Sequence, residues 1–217
     1  MNINYEFKNK KLKDIALTHI SFANEKGLES NQRLEFLGDS ILSFVVAEYI
    51  YKKIKNIDEG LLTQMRANAV CEESLARVAG EMNIGESIHF GKSESLNGAK
   101  KPSILCDTYE AILGAIYLDS DIETAKKWIL ENLSDVIEES MHMDFHNYKS
   151  EIQTYFQRRD KSELAPTYEL VKREGPDHKP RFFVNAVYNG KIIGKGVGTN
   201  LKKAEQAAAK QALEQIK

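Results

Sequence analysis

Four carboxylates stand within strongly apolar stretches of the sequence. Glu35 and Asp39 lie four residues apart within LEFLGDSIL, and Asp107 and Glu110 lie three residues apart within ILCDTYEAILGAIYL. Spacings of three and four residues place both members of a pair on one face of a helix. If the two helices touch, four acidic groups converge, and their mutual repulsion raises their pKa values unless a cation is present.

Two interpretations of these acids follow from their spacing. A hard divalent cation such as Mg²⁺ would relieve the repulsion, since Mg²⁺ is held by a few carboxylates together with water and substrate phosphate. The spacing also allows, and by itself slightly favours, ordinary charges that cap or begin helices. None of the four acids is the glutamate of a Glu-x-x-His sequence, which argues against a di-iron bundle.

The acids belong to a region, residues 1–140, in which apolar residues recur at helical spacing almost throughout. Prolines are nearly absent there, as a helical region requires. The pattern predicts helices over residues 34–54, 61–82, 104–118 and 121–140, with an exposed loop over 91–102. It also predicts that the Tyr- and Phe-rich stretch 44–51 lies in the core.

The sequence beyond residue 144 has a different character. A short amphipathic helix over 148–157 precedes three predicted strands, over 167–172, 182–188 and 191–198. Asn189 and Gly190 predict a tight hairpin, and Asn200 can cap a final alanine-rich helix. The predicted fold is an all-α domain over residues 1–144, followed by a small α+β domain of order α-β-β-β-α over residues 145–217.

The formal net charge of −2 conceals a division between these two parts. Residues 147–217 carry 14 Lys and Arg against 8 Asp and Glu, a net charge of +6. Residues 1–146 carry 16 against 24, a net charge of −8. The division suggests an acidic module joined to a basic module that meets a polyanion, although a solvated basic face is the commoner cause of such a charge.

Composition excludes several classes of protein. Hydrophobic residues make up 42% of the chain, which suffices for a core, and no apolar run approaches the roughly eighteen residues of a membrane span. The N-terminal sequence MNINYEFKNKK lacks the apolar segment of a signal peptide. Cys71 and Cys106 are too few for a disulfide framework or a cysteine zinc site. We therefore expect a cytoplasmic protein without a membrane segment.

The sequence around the first acidic pair closely resembles the signature of the ribonuclease III family, usually NERLEFLGDS. This chain reads NQRLEFLGDS over residues 31–40, and DTYEAILGAIYLD over residues 107–119 resembles the second acidic motif of the family. The basic tail resembles a double-stranded RNA-binding domain, in the order that a bacterial ribonuclease III has. The resemblance covers essentially the whole chain.

What the resemblance implies is a homodimeric, Mg²⁺-dependent endoribonuclease that hydrolyses double-stranded RNA. Its products would carry 5′-phosphate and 3′-hydroxyl ends, and its substrates would include precursors of ribosomal RNA and other structured transcripts. Glu35, Asp107 and Glu110 would be the metal ligands, with Asp39 and Glu110 the most critical for cleavage. Phe36 would fill a pocket on the partner subunit, in a self-complementary two-fold contact.

The resemblance also implies how the RNA is held. A-form RNA hides its base edges, so a duplex reader uses shape, 2′-hydroxyls and phosphates. The implied RNA-binding residues are Ser150, Gln153, His178, Lys202 and Lys203. The chain departs from the family at Gln32 and Thr154, where Glu is usual, and at Leu201, where a basic residue is common. These departures predict weaker or shifted RNA contacts and no loss of catalysis.

Two rival functions remain open at this point. One is a non-catalytic protein that binds double-stranded RNA with the same folds, which loss of any one acid would favour; all four acids are present. The other is an unrelated helical metal-binding protein, against which the basic α-β-β-β-α tail argues.

Overall fold

The computed structural model describes residues 3–92, 94, 97–142, 147–161, 163–176 and 179–216. The chain forms two compact units, Met1–Phe145 and His146–Lys217. The predicted boundary between residues 144 and 145 falls among residues 143–146, outside the described residues, and its position stays a prediction. The predicted fold class is confirmed, since the first unit is helical and the second is a three-stranded sheet with two helices.

Seven α-helices are described in the first unit: α1 (Lys10–Ala16), α2 (Ile20–Lys26), α3 (Gln32–Lys53), α4 (Glu59–Ala69), α5 (Glu72–Glu81), α6 (Pro102–Asp119) and α7 (Ile122–His142). Short 3₁₀ turns occupy Ile84–Ser87 and Gly98–Lys100. Within the described ranges, none of the helices combines the length and the apolar character that a membrane span requires.

Helix α6 is the centre of the first unit. A helix that is apolar on every side is buried on every side, and the helices α1, α3, α5 and α7 surround this one. Between Ile104 and Ile116, all of which the structure describes, every residue except Asp107 and Glu110 is buried. Both carboxylates therefore lie where the central helix reaches the surface of the unit.

Two glycines let α3 and α6 cross with their backbones in contact. A Cβ atom at Gly38 would lie 1.8 Å from the carbonyl oxygen of Glu110, and a Cβ atom at Gly114 would lie 2.2 Å from the carbonyl oxygen of Leu34. No side chain fits in either place, because real Cβ atoms do not approach other atoms so closely. The crossing brings the backbone next to Asp39 against the backbone of Glu110.

Two expectations about the first unit are wrong in detail. The predicted helix over 61–82 is two helices, because Cys71 is extended and its thiol and the Ser74 hydroxyl both donate to the carbonyl oxygen of Asn68. Such local side-chain bonds compete with helix continuation. The stretch 44–51 is only partly core, since Phe44 is 60% and Tyr51 is 67% exposed. Helical rotation turns these two rings away from the buried face of α3.

The second unit contains α8 (Tyr148–Asp160), β1 (Thr167–Glu174), β2 (Arg181–Tyr188), β3 (Lys191–Gly198) and α9 (Leu201–Ile216). The strands form an antiparallel sheet of order β1-β2-β3. Asn189 and Gly190 turn between β2 and β3 with φ angles of 49° and 73°, which are the positive values that a tight hairpin requires.

Small residues bring α9 close to the sheet of the second unit. A Cβ atom at Gly196 would lie 2.1 Å from the carbonyl oxygen of Ala204, and one at Gly194 would lie 2.3 Å from that of Ala208. The helix contributes buried alanines to this contact, and Ile152 and Phe156 of α8 complete the core. The alanine-rich composition of α9 therefore fits a helix that lies directly on a glycine-containing strand.

Candidate active site and RNA interface

The crossing of α3 and α6 gathers the predicted carboxylates. Glu35, Asp107 and Glu110 are half-buried, and Asp39 is exposed. Among the described residues, no Lys or Arg forms an ion pair with any of the four. Arg33, the cation nearest in sequence, pairs instead with Glu29 at 3.6 Å. The cluster therefore carries negative charge that no neighbouring side-chain cation neutralises by direct contact.

The pKa values of these carboxylates are raised, as expected for partly buried acids without a neighbouring cation. Burial, and then the charges of Asp39, Asp107 and Glu35, raise the pKa of Glu110 to about 8. Burial raises the pKa of Glu35 above its ordinary value, and the charges of Asp107 and Asp39 add to the effect. Without a bound cation, Glu110 is mostly protonated at neutral pH. A divalent cation can replace that proton and stabilise all the charges at once.

Two residues of this region were missed by the sequence reasoning. Burial raises the pKa of Asp107, and the first charge that adds to this is Glu72, at the start of α5. Cys106 is the other: its thiol and the carboxylates of Asp107 and Glu110 offer ligand atoms that all lie within 4.8 Å of one another. Cys106 was visible in the sequence as a neighbour of Asp107, whereas the approach of Glu72 depends on how α5 packs on α6.

The donor set fits a hard divalent cation. Mg²⁺ prefers carboxylate oxygens and keeps several waters, and the site offers half-buried carboxylates beside an exposed one. The raised pKa values show that the charged forms are unfavourable without a cation. Asp107 and Glu110 offer ligand atoms within 4.8 Å of each other, Glu35 is half-buried and its charge raises the pKa of Glu110, and Asp39 is exposed.

Phe36 lies one residue from the acidic cluster and is 77% exposed. Together with Phe44 and Tyr51 it forms an exposed aromatic stripe along α3, because residues seven and eight apart return to one face of a helix. Beside the stripe, a groove of about 370 Å³ between α3 and α4 is lined by Leu62 and Arg66 among others. Phe44 and Tyr51 line this groove and Phe36 does not, and exposed apolar groups of this size are typical of interaction sites.

In the second unit the described candidates for RNA contact are all exposed: Ser150 and Gln153 on α8, and Lys202 and Lys203 on α9. His178 lies outside the described residues. The side chain of Asn200 accepts a hydrogen bond from the backbone N–H of Lys203 at 2.8 Å and so caps α9. The two lysines thus extend from the first turn of a helix, whose free N–H groups attract anions.

The three departures from the family lie on the surface. Thr154 donates a hydrogen bond to the carbonyl oxygen of Ser150 at 2.9 Å, so its side chain is directed back along α8. Leu201 is 43% exposed at the first position of α9. Gln32 accepts from the Ser30 hydroxyl at 3.5 Å. None of the three is part of a core.

Comparisons with known proteins agree with these two units. A family model described as Ribonuclease-III-like matches residues 9–137, and one described as Double-stranded RNA binding motif matches residues 148–216. Ribonuclease 3 of Pelotomaculum thermopropionicum is 45% identical over 206 residues, covering 91% of this chain and 83% of the relative. Ribonuclease 3 of Caldanaerobacter subterraneus subsp. tengcongensis is 43% identical over 218 residues, covering 99% of this chain and 95% of the relative.

A solved structure matches the first unit. The nuclease domain of ribonuclease III from Campylobacter jejuni, whose title describes flexibility in a region involved in dimer formation, is similar with a TM-score of 0.58 and 43% sequence identity. The match covers 65% of this chain and 94% of that one. With both family models, the relatives and the acidic crossing in agreement, the chain belongs to the ribonuclease III family.

Proposed function

We propose that this chain hydrolyses double-stranded RNA at the crossing of α3 and α6, with Mg²⁺ held by Glu35, Asp107 and Glu110. A double-stranded RNA-specific endoribonuclease is the function of the family to which the chain belongs. The observation that carries the assignment of the site is the uncompensated carboxylate cluster, with the pKa of Glu110 raised to about 8.

The protein's own residues prepare this chemistry in two ways. Glu35, Asp107 and Glu110 would hold the cation from the half-buried side of the crossing, which leaves its remaining coordination positions to water and phosphate. Asp39 is exposed beside them and orients the water and phosphate that approach from solvent. When bound, Mg²⁺ supplies neutralisation of charge on the phosphate and the leaving oxygen, and it activates water for in-line attack. The expected products carry 5′-phosphate and 3′-hydroxyl ends.

The second unit supplies most of the affinity for the duplex. Lys202 and Lys203 meet phosphates, and Ser150 and Gln153 reach the shallow minor groove, where 2′-hydroxyls are displayed. The predicted contact of His178 is part of the same proposal and lies outside the described residues. Since affinity for nucleic acid rests heavily on phosphate contacts, the net charge of +6 in residues 147–217 favours this division of labour.

The aromatic stripe on α3 supports a homodimer in which Phe36 fills a pocket of the partner. The Campylobacter jejuni neighbour is a nuclease domain with a region involved in dimer formation, and an exposed ring next to the acidic cluster is otherwise unexplained. We place this dimer in the cytoplasm, with ribosomal RNA precursors and other structured transcripts as its substrates.

Replacing Phe36 by Ala tests the dimer. Loss of a buried Phe ring costs about 3–5 kcal/mol, so the dimer should dissociate at much higher concentration in sedimentation, and paired cuts should give way to nicks or inactivity. Leu164→Ala, which removes an exposed apolar side chain of the other unit, is the control. An unchanged dimer of the Phe36 variant at nanomolar concentration would remove this ring from the interface.

Incubation with an end-labelled RNA duplex tests the activity itself. Wild type should cut the duplex and spare the single strand in Mg²⁺, and should cut neither in chelator. Binding of the duplex without cleavage in Mg²⁺ would favour the alternative, a non-catalytic double-stranded RNA-binding protein.

A further inference from the structure

Cys106 is a thiol beside the carboxylates that the proposed Mg²⁺ chemistry does not use. Its Sγ and the carboxylate oxygens of Asp107 and Glu110 form a group whose ligand atoms all lie within 4.8 Å of one another. The residue is only 8% exposed, and among the described residues its thiol has no hydrogen-bond partner. A buried thiol thus lies beside two carboxylates, and no hydrogen bond among the described residues accounts for its position.

This donor set suits a different class of cation from Mg²⁺. Mg²⁺ binds hard oxygen ligands, whereas a thiolate selects softer ions such as Zn²⁺. Zinc binds cysteine sulfur and carboxylate oxygen, and its open sites have three protein ligands with water or another group in the fourth position. The three residues stand at positions i, i+1 and i+4 of α6, so a single buried helix fixes all three.

We propose that Cys106, Asp107 and Glu110 form a binding site for a thiophilic divalent cation of the zinc class, and that this ion excludes Mg²⁺. The inference rests on the proposed function because both ions use Asp107 and Glu110. The thiol proton leaves to solvent when the ion binds. Zinc-class ions then act as competitive inhibitors of Mg²⁺, through a sulfur ligand that the hydrolysis itself does not need.

Cadmium is a suitable probe because its bond to a thiolate absorbs in the ultraviolet. Cd²⁺ is titrated into the metal-free full chain of wild type, Cys106→Ser and Cys71→Ser. Cys71 is the other cysteine of the sequence. It is the matched control because its thiol donates to a backbone carbonyl and lies near a hydroxyl, a setting that serine reproduces.

The absorption should saturate at one Cd²⁺ per chain in wild type and in Cys71→Ser, and it should be absent in Cys106→Ser. Changes outside the ligands alone cost about 10- to 100-fold in metal affinity, so loss of Cys106 should weaken Cd²⁺ binding by at least that factor. A band that persists in Cys106→Ser, is lost in Cys71→Ser or is absent from wild type overturns the proposal. Cys106→Ala repeats the comparison if the serine variant fails to fold.

Competition separates this proposal from the proposed function. Excess Zn²⁺ should displace Cd²⁺ from wild type with a decrease of the band, and excess Mg²⁺ should raise the Cd²⁺ concentration needed to reach half of the band. A Cd²⁺ titration of wild type that excess Mg²⁺ leaves unshifted overturns the shared site. If wild type cleaves RNA with Mg²⁺ but shows no Cd²⁺ band, the thiol site is wrong and the proposed function stands. If wild type shows the band but no Mg²⁺-dependent cleavage, the proposed function is wrong.

Discussion

In the first unit the proposed functional charges are carboxylates at the crossing of α3 and α6, three of them half-buried and Asp39 exposed, whereas in the second they are lysines exposed at the start of α9. Burial, and then repulsion within the first group, raises the pKa of Glu110 to about 8, and a bound cation stabilises the charged form. The exposed lysines need no such relief, because water solvates them. The first arrangement suits chemistry, and the second suits reversible binding.

The two units nevertheless use the same device to position these charges. In both, glycine removes a Cβ atom that would strike a backbone carbonyl, at Gly38 of α3 and at Gly196 of β3. Close backbone contact fixes the relative position of two elements more firmly than flexible side chains do. The two contacts differ in the side chains next to them. Carboxylates lie next to the contact in the first unit, and the lysines of the first turn of α9 lie next to it in the second.

The largest expected effect is on cleavage, through Glu110→Gln. The change keeps the size of the side chain but removes one charge and a strong ligand, so cleavage of a duplex in Mg²⁺ should slow by several orders of magnitude. Affinity for the duplex should hardly change, because the lysines of α9 remain. Glu131→Gln is the control, since Glu131 belongs to an exposed ion pair with Lys127. Equal cleavage rates for the two variants would place Glu110 outside the site.

The reciprocal effect is on binding, through the double replacement of Lys202 and Lys203 by Ala. Each phosphate contact contributes roughly 0.7 to 0.9 to the salt slope of log K, so the slope should fall by about 1.5. The cleavage rate at saturating RNA and low salt should stay close to that of wild type. Lys191→Ala, at the exposed start of β3, is the control. A salt slope equal to that of wild type would show that the two lysines do not contact RNA phosphates.

The sequence predicts the features that depend on residues close together in the chain better than those that depend on packing between helices. The spacing of apolar residues and the turn residues predict the helical unit and the α-β-β-β-α unit, because both signals are local. The family motif predicts Glu35 and Asp107 together, and their assigned roles stay predictions. The helix break at Cys71 and the influence of Glu72 on Asp107 were missed, since the first depends on side-chain hydrogen bonds and the second on how α5 packs.

A smaller effect is expected from the glycine contacts. Gly38→Ala and Gly196→Ala each force a methyl group onto a carbonyl oxygen, and overpacking of this kind typically costs about 1–3 kcal/mol. The first should depress cleavage and the second RNA affinity. Gly80→Ala, in α5 with nothing near its added Cβ, should raise stability by about 0.5–1 kcal/mol. Chemical denaturation measures all three, and identical losses at Gly38 and Gly80 would contradict the close crossing.

The most direct test of the carboxylate site is thermal unfolding followed by fluorescence of Trp128, the single tryptophan, which is 2% exposed in the first unit. Wild type and Glu110→Gln are compared in chelator and in increasing Mg²⁺. In chelator the variant should melt no lower than wild type, because a neutral amide carries neither the cost of burying a charge nor repulsion from the other acids. Mg²⁺ should raise the melting temperature of wild type more than that of the variant, since it binds the folded wild type more tightly. Equal Mg²⁺-induced increases in the two proteins would contradict a cation site that includes Glu110.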